Sequence, residues 1–524
     1  MRKTSNSKSL NEAPGFQNKP LQEMVAVGLT TDHSVRLWLR SRRPGKIMIH
    51  WWPEAQGNHQ VWETSIVLPK GNYRDNTTSL LIPDDTDQDC TLSPLTRYGY
   101  RVFEPEGETL VGRGVFETAP DLPASTPSRF SIALFSCHQP FTRDGGVHEA
   151  AGPMLRAVRR CLIEHNTKIV FAMGDQMYSD YPPPLSLFDK DYFQLVAPPN
   201  RQNIQQCSVQ EVRDLYHMRY RQFWSLPEWK ALHTDFPCYP IVDDHDLVDN
   251  WGSIPAHQTD AWRAFIEGAR RACFDYQASR VLPVADQLPG SFNYQATYGH
   301  SSFFVMDLRS NRRAGSNGRI FSDSQKRDLQ RFLTANGQQK ILFIILSVPI
   351  IHLPKLLAKL VARLPPPNED FSDRWSSGAH IRDRDWVLKT LLQHQRGHPQ
   401  QRLVLLSGDI HIGCVHRISW LENGPDLYQF ISSGITHQTG RLIALGSKSL
   451  IRLNRRIETG DKTLQAKVAL QKGVAGKRLN PCSGLNLGLV EIDTPGPELQ
   501  PAIRFLMFNH QNDHPVCVYR SEWV

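Results

Sequence analysis

KIVFAMGDQMY, residues 168–178, is an apolar run that stops on a glycine, a carboxylate and a phenol. Unbroken apolar runs of this length are how a strand buried on both faces reads in sequence. Three other segments repeat the pattern: SIALFSC at 131–137, YPIVDDHD at 239–246 and LVLLSGDIH at 403–411. In open α/β sheets the ligand crevice lies beyond the carboxyl ends of the strands. Cys137, Asp175, Tyr178, Asp244, Asp409 and His411 are therefore expected to converge at one edge of one sheet as a single metal centre.

Each cluster has its own chemistry. Gly174 permits a tight turn, Asp175 offers a carboxylate able to bridge two metals, and the Tyr178 phenolate favours a hard trivalent ion such as ferric iron. VDDHD at 242–246 packs three aspartates around His245, a group that repels itself unless a cation, proton or arginine compensates. Asp409 and His411 are one residue apart, so in an extended segment both point the same way and can face one ion. Taken singly, Gly-Asp is also an ordinary turn and a free cysteine such as Cys137 is usually a small buried hydrophobe. It is the set of four strand ends that points to metal. No GxSxG, P-loop, HExxH or GxGxxG pattern stands in a fitting context, which argues against a serine nucleophile or a nucleotide cofactor.

The 524 residues, 40% hydrophobic and 21% charged, have the composition of a folded protein, and two domains are expected. Residues 1–20 read as a disordered lead. Seven short β-type runs between 24 and 118, separated by Pro and Gly turns, predict an all-β immunoglobulin/fibronectin-like sandwich over 21–120. Tyr98 resembles the tyrosine corner of such domains. APDLPASTPS at 119–128 marks a boundary. From 128 to 524 apolar runs alternate with helical stretches at 148–165, 208–233, 257–279, 324–336 and 381–396, the pattern of a layered α/β domain. The long proline-rich loop 179–207 follows a candidate ligand, a position where such loops serve a site.

The formal charge of +8 is concentrated: 439–479 carries ten basic residues against Glu458 and Asp461. Within this insertion LIALGSKSLIRLNRRI is mildly amphipathic, which admits either contact with anionic lipid or polymer or a solvated charged face. ILFIILSVPII at 341–351 is too short to span a bilayer and reads as a buried strand. The N-terminus lacks an apolar signal region and a twin-arginine pair, and nine cysteines show no CxxC spacing. A cytoplasmic location is expected, with peripheral membrane association through the insertion as a variant. No specific nucleic-acid motif is present.

The order Ser-Cys, Gly-Asp-x-x-Tyr, Asp-Asp-His-Asp, Ser-Gly-Asp-x-His resembles the alkaline phosphatase D family of metallophosphoesterases. VAVGLTTDHSVRLWLR at 25–40 is similar to that family's N-terminal immunoglobulin-like domain, and NLGLVEID at 486–493 to its closing strand. Asp307 and Arg309 resemble its Asp-x-Arg strand end, and 363–386 its loop before the last helix, where Asp373 and Trp375 would line the site. The resemblance implies a calcineurin-like core of two sheets flanked by helices. It implies a binuclear or larger centre of ferric iron with calcium, with zinc, manganese or magnesium also compatible with these ligand types. Cys137 and Tyr178 would bind iron, Asp175 would bridge, Asp244 and Asp409 would face the second metal, and His411 would sit on the iron side.

The implied activity is phosphomonoester or phosphodiester hydrolysis by in-line attack of a metal-held hydroxide. His245 would give a proton to the leaving oxygen. Arg309 would clamp phosphate, or else form a salt bridge with Asp307 or a neighbour. Two alternatives are a hydrolase of membrane-lipid or polymer phosphodiesters docked through 439–479, and a non-catalytic binding protein with structural metals.

Overall fold

Strand Ile341–Leu346 is buried at every position, and its side chains divide by the two-residue period of a strand. Ile341, Phe343 and Ile345 enter one apolar core, while Leu342, Ile344 and Leu346 enter another. This division shows a sheet sandwiched between a second sheet and a layer of helices. The computed structural model describes residues 15–55, 60–71, 73–83, 91–106, 108–121, 125–352, 370–421, 424–494 and 500–524.

The first large sheet runs Cys238–Ile241, Thr167–Met173, Arg129–Phe135, Leu487–Asp493, Ala502–Gln511, His514–Ser521, Gly473–Arg478. Its first three strands are parallel and the rest antiparallel. The second runs Tyr294–Tyr298, Ser301–Val305, Ile341–Leu346, Arg402–Ser407, Leu427–Ile431, Ile412–Trp420, Gln465–Leu470, Arg456–Glu458, with a parallel block from Ser301–Val305 to Leu427–Ile431. Helices Asp323–Ala335 and Ile381–Gly397 cover the outer face of the second sheet through Leu329, Phe332, Leu388 and Leu391.

The four ligand-bearing strand ends therefore belong to two sheets, not to one edge of one sheet. Three close the parallel end of the first, whereas Asp409 and His411 follow a central strand of the second. Apolar runs reveal that strands are buried but not which strands pair. The sheets meet at Gly408, where a Cβ would lie 2.3 Å from Ser136 Oγ and 2.9 Å from the Met173 carbonyl oxygen.

The seven runs expected between 24 and 118 all form strands, paired as Met24–Thr30, Val35–Arg40, Thr77–Ile82 and as Trp62–Leu68, Gly45–Pro53, Arg97–Glu104, Thr109–Glu117. The two small antiparallel sheets share one apolar cluster containing Val27, Leu37, Ile49, Trp51 and Tyr100. The outer face of the first is not free: Trp38 is fully buried, donates from Nε1 to the Asp275 carbonyl at 2.7 Å, and packs edge-on to Trp224. Gly28 lets this sheet come close, since a Cβ there would lie 2.1 Å from the Arg280 carbonyl oxygen.

Several expectations need correction. Of the lead at 1–20, residues 1–14 lie outside the described residues, and 15–20 are tied down: Phe16 packs on Phe141 and Phe223, and Gln17 N–H donates to Gly145 O at 3.0 Å. The helical stretch 208–233 is two helices, Val209–Phe223 and Pro227–Asp235, because Pro227 takes a first-turn position and cannot continue its predecessor. The basic insertion carries strands besides its helix: Arg456–Glu458 and Gln465–Leu470 extend the second sheet and Gly473–Arg478 the first. Part of the segment 363–386, up to 369, lies outside the described residues. Among the described residues no helix is long and apolar enough to cross a membrane, and no cysteine is in a disulfide.

The seam between the sheets makes a direct prediction. Gly408→Ala should lower stability by about 1–3 kcal/mol through overpacking against Ser136 and Met173, read from the urea midpoint; an unchanged midpoint would contradict the close approach.

Candidate metal centre

The parallel strands of both sheets end in one place, and the chain turns there by an unusual route. Cys137 (φ 62°), Asp175 (φ 54°), Asp409 (φ 68°) and His411 (φ 53°) all adopt left-handed backbone conformations. Such a conformation costs a non-glycine residue about 1–2 kcal/mol. It persists where the surroundings over-determine it, typically at functional sites. Gly174 (φ 95°) allows the Asp175 turn to touch the next strand end, since a Cβ would meet Asp243 Cβ at 2.4 Å.

The turns are fastened by one carboxylate. Asp246 accepts from the backbone N–H groups of Asp175 (2.9 Å), Gln176 (3.0 Å), Met177 (3.2 Å) and Asp243 (2.9 Å), and from Gln277 Nε2 at 2.8 Å. Across the seam, Asp409 N–H donates to Ser136 Oγ at 3.1 Å, and on the second sheet's own side His411 N–H donates to Ser433 Oγ at 2.9 Å. The third acid of VDDHD is thus a brace for two ligand loops.

Three expected ligands meet on a single atom. Asp175 Oδ2 lies 3.2 Å from Cys137 Sγ and 3.4 Å from Tyr178 Oη, with all three side chains buried. One carboxylate or ring atom from each of Asp175, Asp244 and His245 lies within 4.8 Å of the others, and the same holds for Asp243, Asp244 and Asp409. Asp244 is common to both groups. His411 falls in neither; its ring stacks on His437 at 3.8 Å and 5°. His437, which sequence reasoning passed over, also stacks near Tyr178 at 5.9 Å. It lies in SSGITHQ after strand Leu427–Ile431, a strand end whose histidine stands six residues downstream, beyond the reach of a strand-end search.

The remaining electrostatics ask for a cation. Asp175 Oδ1, Asp243 Oδ2, Asp244 Oδ1, His411 Nδ1 and His437 Nδ1 are buried without a hydrogen-bond partner, and buried polar atoms are rarely left so. Burial, reinforced by Asp244, Asp243 and Asp246, pushes the Asp175 carboxyl well above its usual range. Burial and then Asp175 do the same to the Cys137 thiol, and burial with Cys137 and Asp175 to the Tyr178 phenol. Burial, then His437 and His245, holds His411 well below a normal imidazole. Burial thus disfavours the charged form of each of these donors; a metal displaces protons from such donors. The donor set therefore fits a metal.

His245 behaves oppositely. Burial disfavours its charge, yet Asp180, which holds Nδ1 at 2.8 Å, together with Asp244 and Asp175, keeps its pKa well above the normal value. Its ring also stacks on Tyr178 at 4.4 Å.

Arg309 does not face an open site. It is fully buried, donates to Asp243 through Nε, to Asp373 through Nη1 and Nη2 at 2.6 and 2.9 Å, and to the Trp251 carbonyl. Of the two readings offered for it, this geometry matches the ion pair, formed with Asp243, Asp373 and, at 3.5 Å, Asp244 rather than with Asp307. Asp307 instead accepts from the N–H groups of Phe292, Arg309 and Ser310. Asp373 thus stands behind the site, and Trp375 is buried with its Nε1 on the Val348 carbonyl. Arg374, between them, pairs with Asp409 at the partly exposed rim.

The model of the PhoD-like phosphatase family matches residues 132–446, more than half of the chain. The chain belongs to that family. All six expected ligands, His245 and Arg309 fall inside the match. The solved structure of PhoD is similar with a TM-score of 0.63 at 17% identity, covering 97% of this chain and 94% of that one. The structure of purple acid phosphatase PPD1 from yellow lupin (Lupinus luteus) seeds is similar with a TM-score of 0.50 at 11% identity, covering 96% and 74%. These two likenesses are of fold. No curated protein matches. This PhoD-like phosphatase is a phosphoester hydrolase of mixed α/β fold with several sheets.

The brace can be tested without substrate. Asp246→Ala leaves five donors facing a vacated carboxylate site and should cost on the order of 3 kcal/mol in urea unfolding. A loss within ~0.5 kcal/mol, the size of a neutral surface change, would contradict it.

Proposed function

We propose that this PhoD-like phosphatase hydrolyses phosphomonoesters and phosphodiesters at a metal centre in which Cys137, Tyr178, Asp175 and His411 would hold ferric iron, and Asp244 and Asp409, with Asp175 shared, would hold calcium. The observation that carries this reading is the meeting of a thiol, a phenol and a carboxylate on Asp175 Oδ2 beside orphaned carboxylate oxygens. Thiolate and phenolate suit iron, and an all-oxygen carboxylate set suits calcium. When bound, the metals supply Lewis acidity towards phosphoryl oxygens and a nucleophile available near neutral pH.

The chain's own groups do the rest. Asp180 holds His245 Nδ1, so the proton for the leaving oxygen is the one on Nε2. Arg374 at the rim takes over the contact to phosphate oxygens once its Asp409 partner is engaged elsewhere, a task guanidinium geometry suits. Arg309 offsets the charge of Asp243 and Asp373 from behind and keeps the ligand loops from repelling one another.

The N-terminal strands form, in this reading, an immunoglobulin-like domain over 21–120 that serves as a platform for the catalytic domain over 128–524. Its three-on-four strand arrangement supports this, as does Tyr98, whose Oη accepts from Ser93 N–H at 2.8 Å, five residues upstream.

Two substitutions separate the roles. Asp175→Asn should lower kcat on aryl phosphate by more than the roughly 100-fold that loss of an outer-shell partner costs, with the urea midpoint retained; turnover near wild type would refute the centre. His245→Ala should lower kcat by about 10²–10⁴-fold for alkyl phosphates and far less for p-nitrophenyl phosphate, whose leaving group needs no proton. Equal losses on both substrates would remove its role as acid.

A further inference from the structure

Beyond the metal centre, the least explained surface of the molecule is the basic insertion. Helix Arg441–Leu453 starts just past His437, and among its described side chains Ile451 alone is fully buried. Ile451 shares one small apolar cluster with Ile410, Ile412, Cys414 and Ile431. Ile410 and Ile412 alternate in sequence with Asp409 and His411, so the helix sits directly on the segment that carries two expected ligands. Outwards it shows Leu445 and Leu453, 61% and 62% exposed, with Arg452 also exposed.

Beside the helix lies a cavity of about 610 Å³ ringed by Arg452, Arg455, Arg456 and Lys467, with Ile451, Val468 and Leu470 among its apolar lining and no acidic residue in its wall. None of the four cations forms an ion pair among the described residues. The two acids of the insertion are turned to other work, Asp461 pairing with Lys389 and Glu458 accepting from Gln465. Soluble surfaces usually intersperse the two signs of charge. Here unpaired cations stand against exposed leucines on a helix.

We propose that helix 441–453 and this cation cluster form a docking surface for an anionic lipid bilayer, holding the rim of the metal centre at the level of the lipid headgroups. A short helix with leucines outward and Lys or Arg alongside is the arrangement that lies in a membrane interface: the leucines enter the acyl boundary and the cations meet the phosphates. Juxtaposed cations are drawn to an anionic leaflet within a Debye length, so the attachment is salt-sensitive. A nucleic acid or other soluble polyanion would use the cations but gain nothing from Leu445 and Leu453, and the cluster contains no aromatic side chain on which a base could stack. The leucines are what select the bilayer. The placement deepens the hydrolase reading, because a docked enzyme meets phosphoesters presented at a surface, but docking itself does not depend on catalysis.

The test uses the full chain and vesicle flotation. Vesicles of equimolar phosphatidylcholine and phosphatidylglycerol should carry the protein at low salt and release it at high salt, whereas pure phosphatidylcholine vesicles should not bind it. Leu445→Ser with Leu453→Ser, and separately Arg455→Glu with Arg456→Glu, should each weaken flotation about tenfold or more while soluble aryl phosphate is hydrolysed at the wild-type rate, which shows that both variants fold. Absence of flotation on the anionic vesicles would overturn the proposal. So would full flotation of the leucine variant together with equally tight binding of a short DNA duplex, which would assign the patch to soluble polyanions. An inactive protein that still floats would refute the hydrolase reading alone.

Discussion

Buried negative charge is the constraint around which this molecule is organised. Asp175, Asp243, Asp244, Asp246 and Asp373 are all nearly inaccessible to water, and a buried carboxylate is tolerated only when it is hydrogen-bonded, paired or protonated. Two of the five are fully provided for by the protein and a third in part. Asp246 is saturated by backbone N–H groups and Asp373 by Arg309 and Arg312, whereas Asp243 meets Arg309 and Ser347 Oγ (3.0 Å) through Oδ1 alone. Asp175 Oδ1, Asp243 Oδ2 and Asp244 Oδ1 are buried without a hydrogen-bond partner, with Arg309 Nη2 standing 3.5 Å from the last. Asp175 and Asp244 also group with His245 within 4.8 Å, so this cluster lies where phosphoester chemistry would take place.

The two-sheet architecture is what brings that charge together. Strands of the first sheet present Cys137, Asp175 and Asp244, and the second presents Asp409 and His411 across a seam only as wide as Gly408 permits. A residue with any side chain at 408 would part the sheets at the one point where their ligands must meet. The left-handed turns at Cys137, Asp175, Asp409 and His411 serve the same end, since they re-aim side chains that an ordinary strand continuation would send to opposite faces. The backbone cost of these turns is borne by the cores on either side, which are packed without interruption from Phe135 and Met173 to Val404 and Leu406.

Most of this was legible in the sequence where a signal is local. Apolar runs ending on Cys137, Asp175, Asp244 and Asp409 marked the strands, and the turn residues between 24 and 118 marked all seven N-terminal strands. What escaped was non-local. Strand pairing assigned Asp409 to a second sheet, and nothing near residue 403 announces its neighbours. Arg309 read as a phosphate ligand because an arginine after a strand end looks the same whether it points into a cleft or backwards into Asp373, which is 64 residues away in the chain. His437 escaped because its loop, not its strand, carries it to His411. Asp246 was recognised as part of a charged cluster, but its role as brace depends on where the Asp175 turn lies.

The central claim is that the thiol, phenol and carboxylate at Cys137, Tyr178 and Asp175 hold iron. Elemental analysis of freshly purified protein, joined to its visible absorption spectrum, tests this most directly. The account predicts bound iron and a visible charge-transfer band that is lost in Tyr178→Phe while the fold is retained. A colourless protein that hydrolyses aryl phosphate without iron would contradict it.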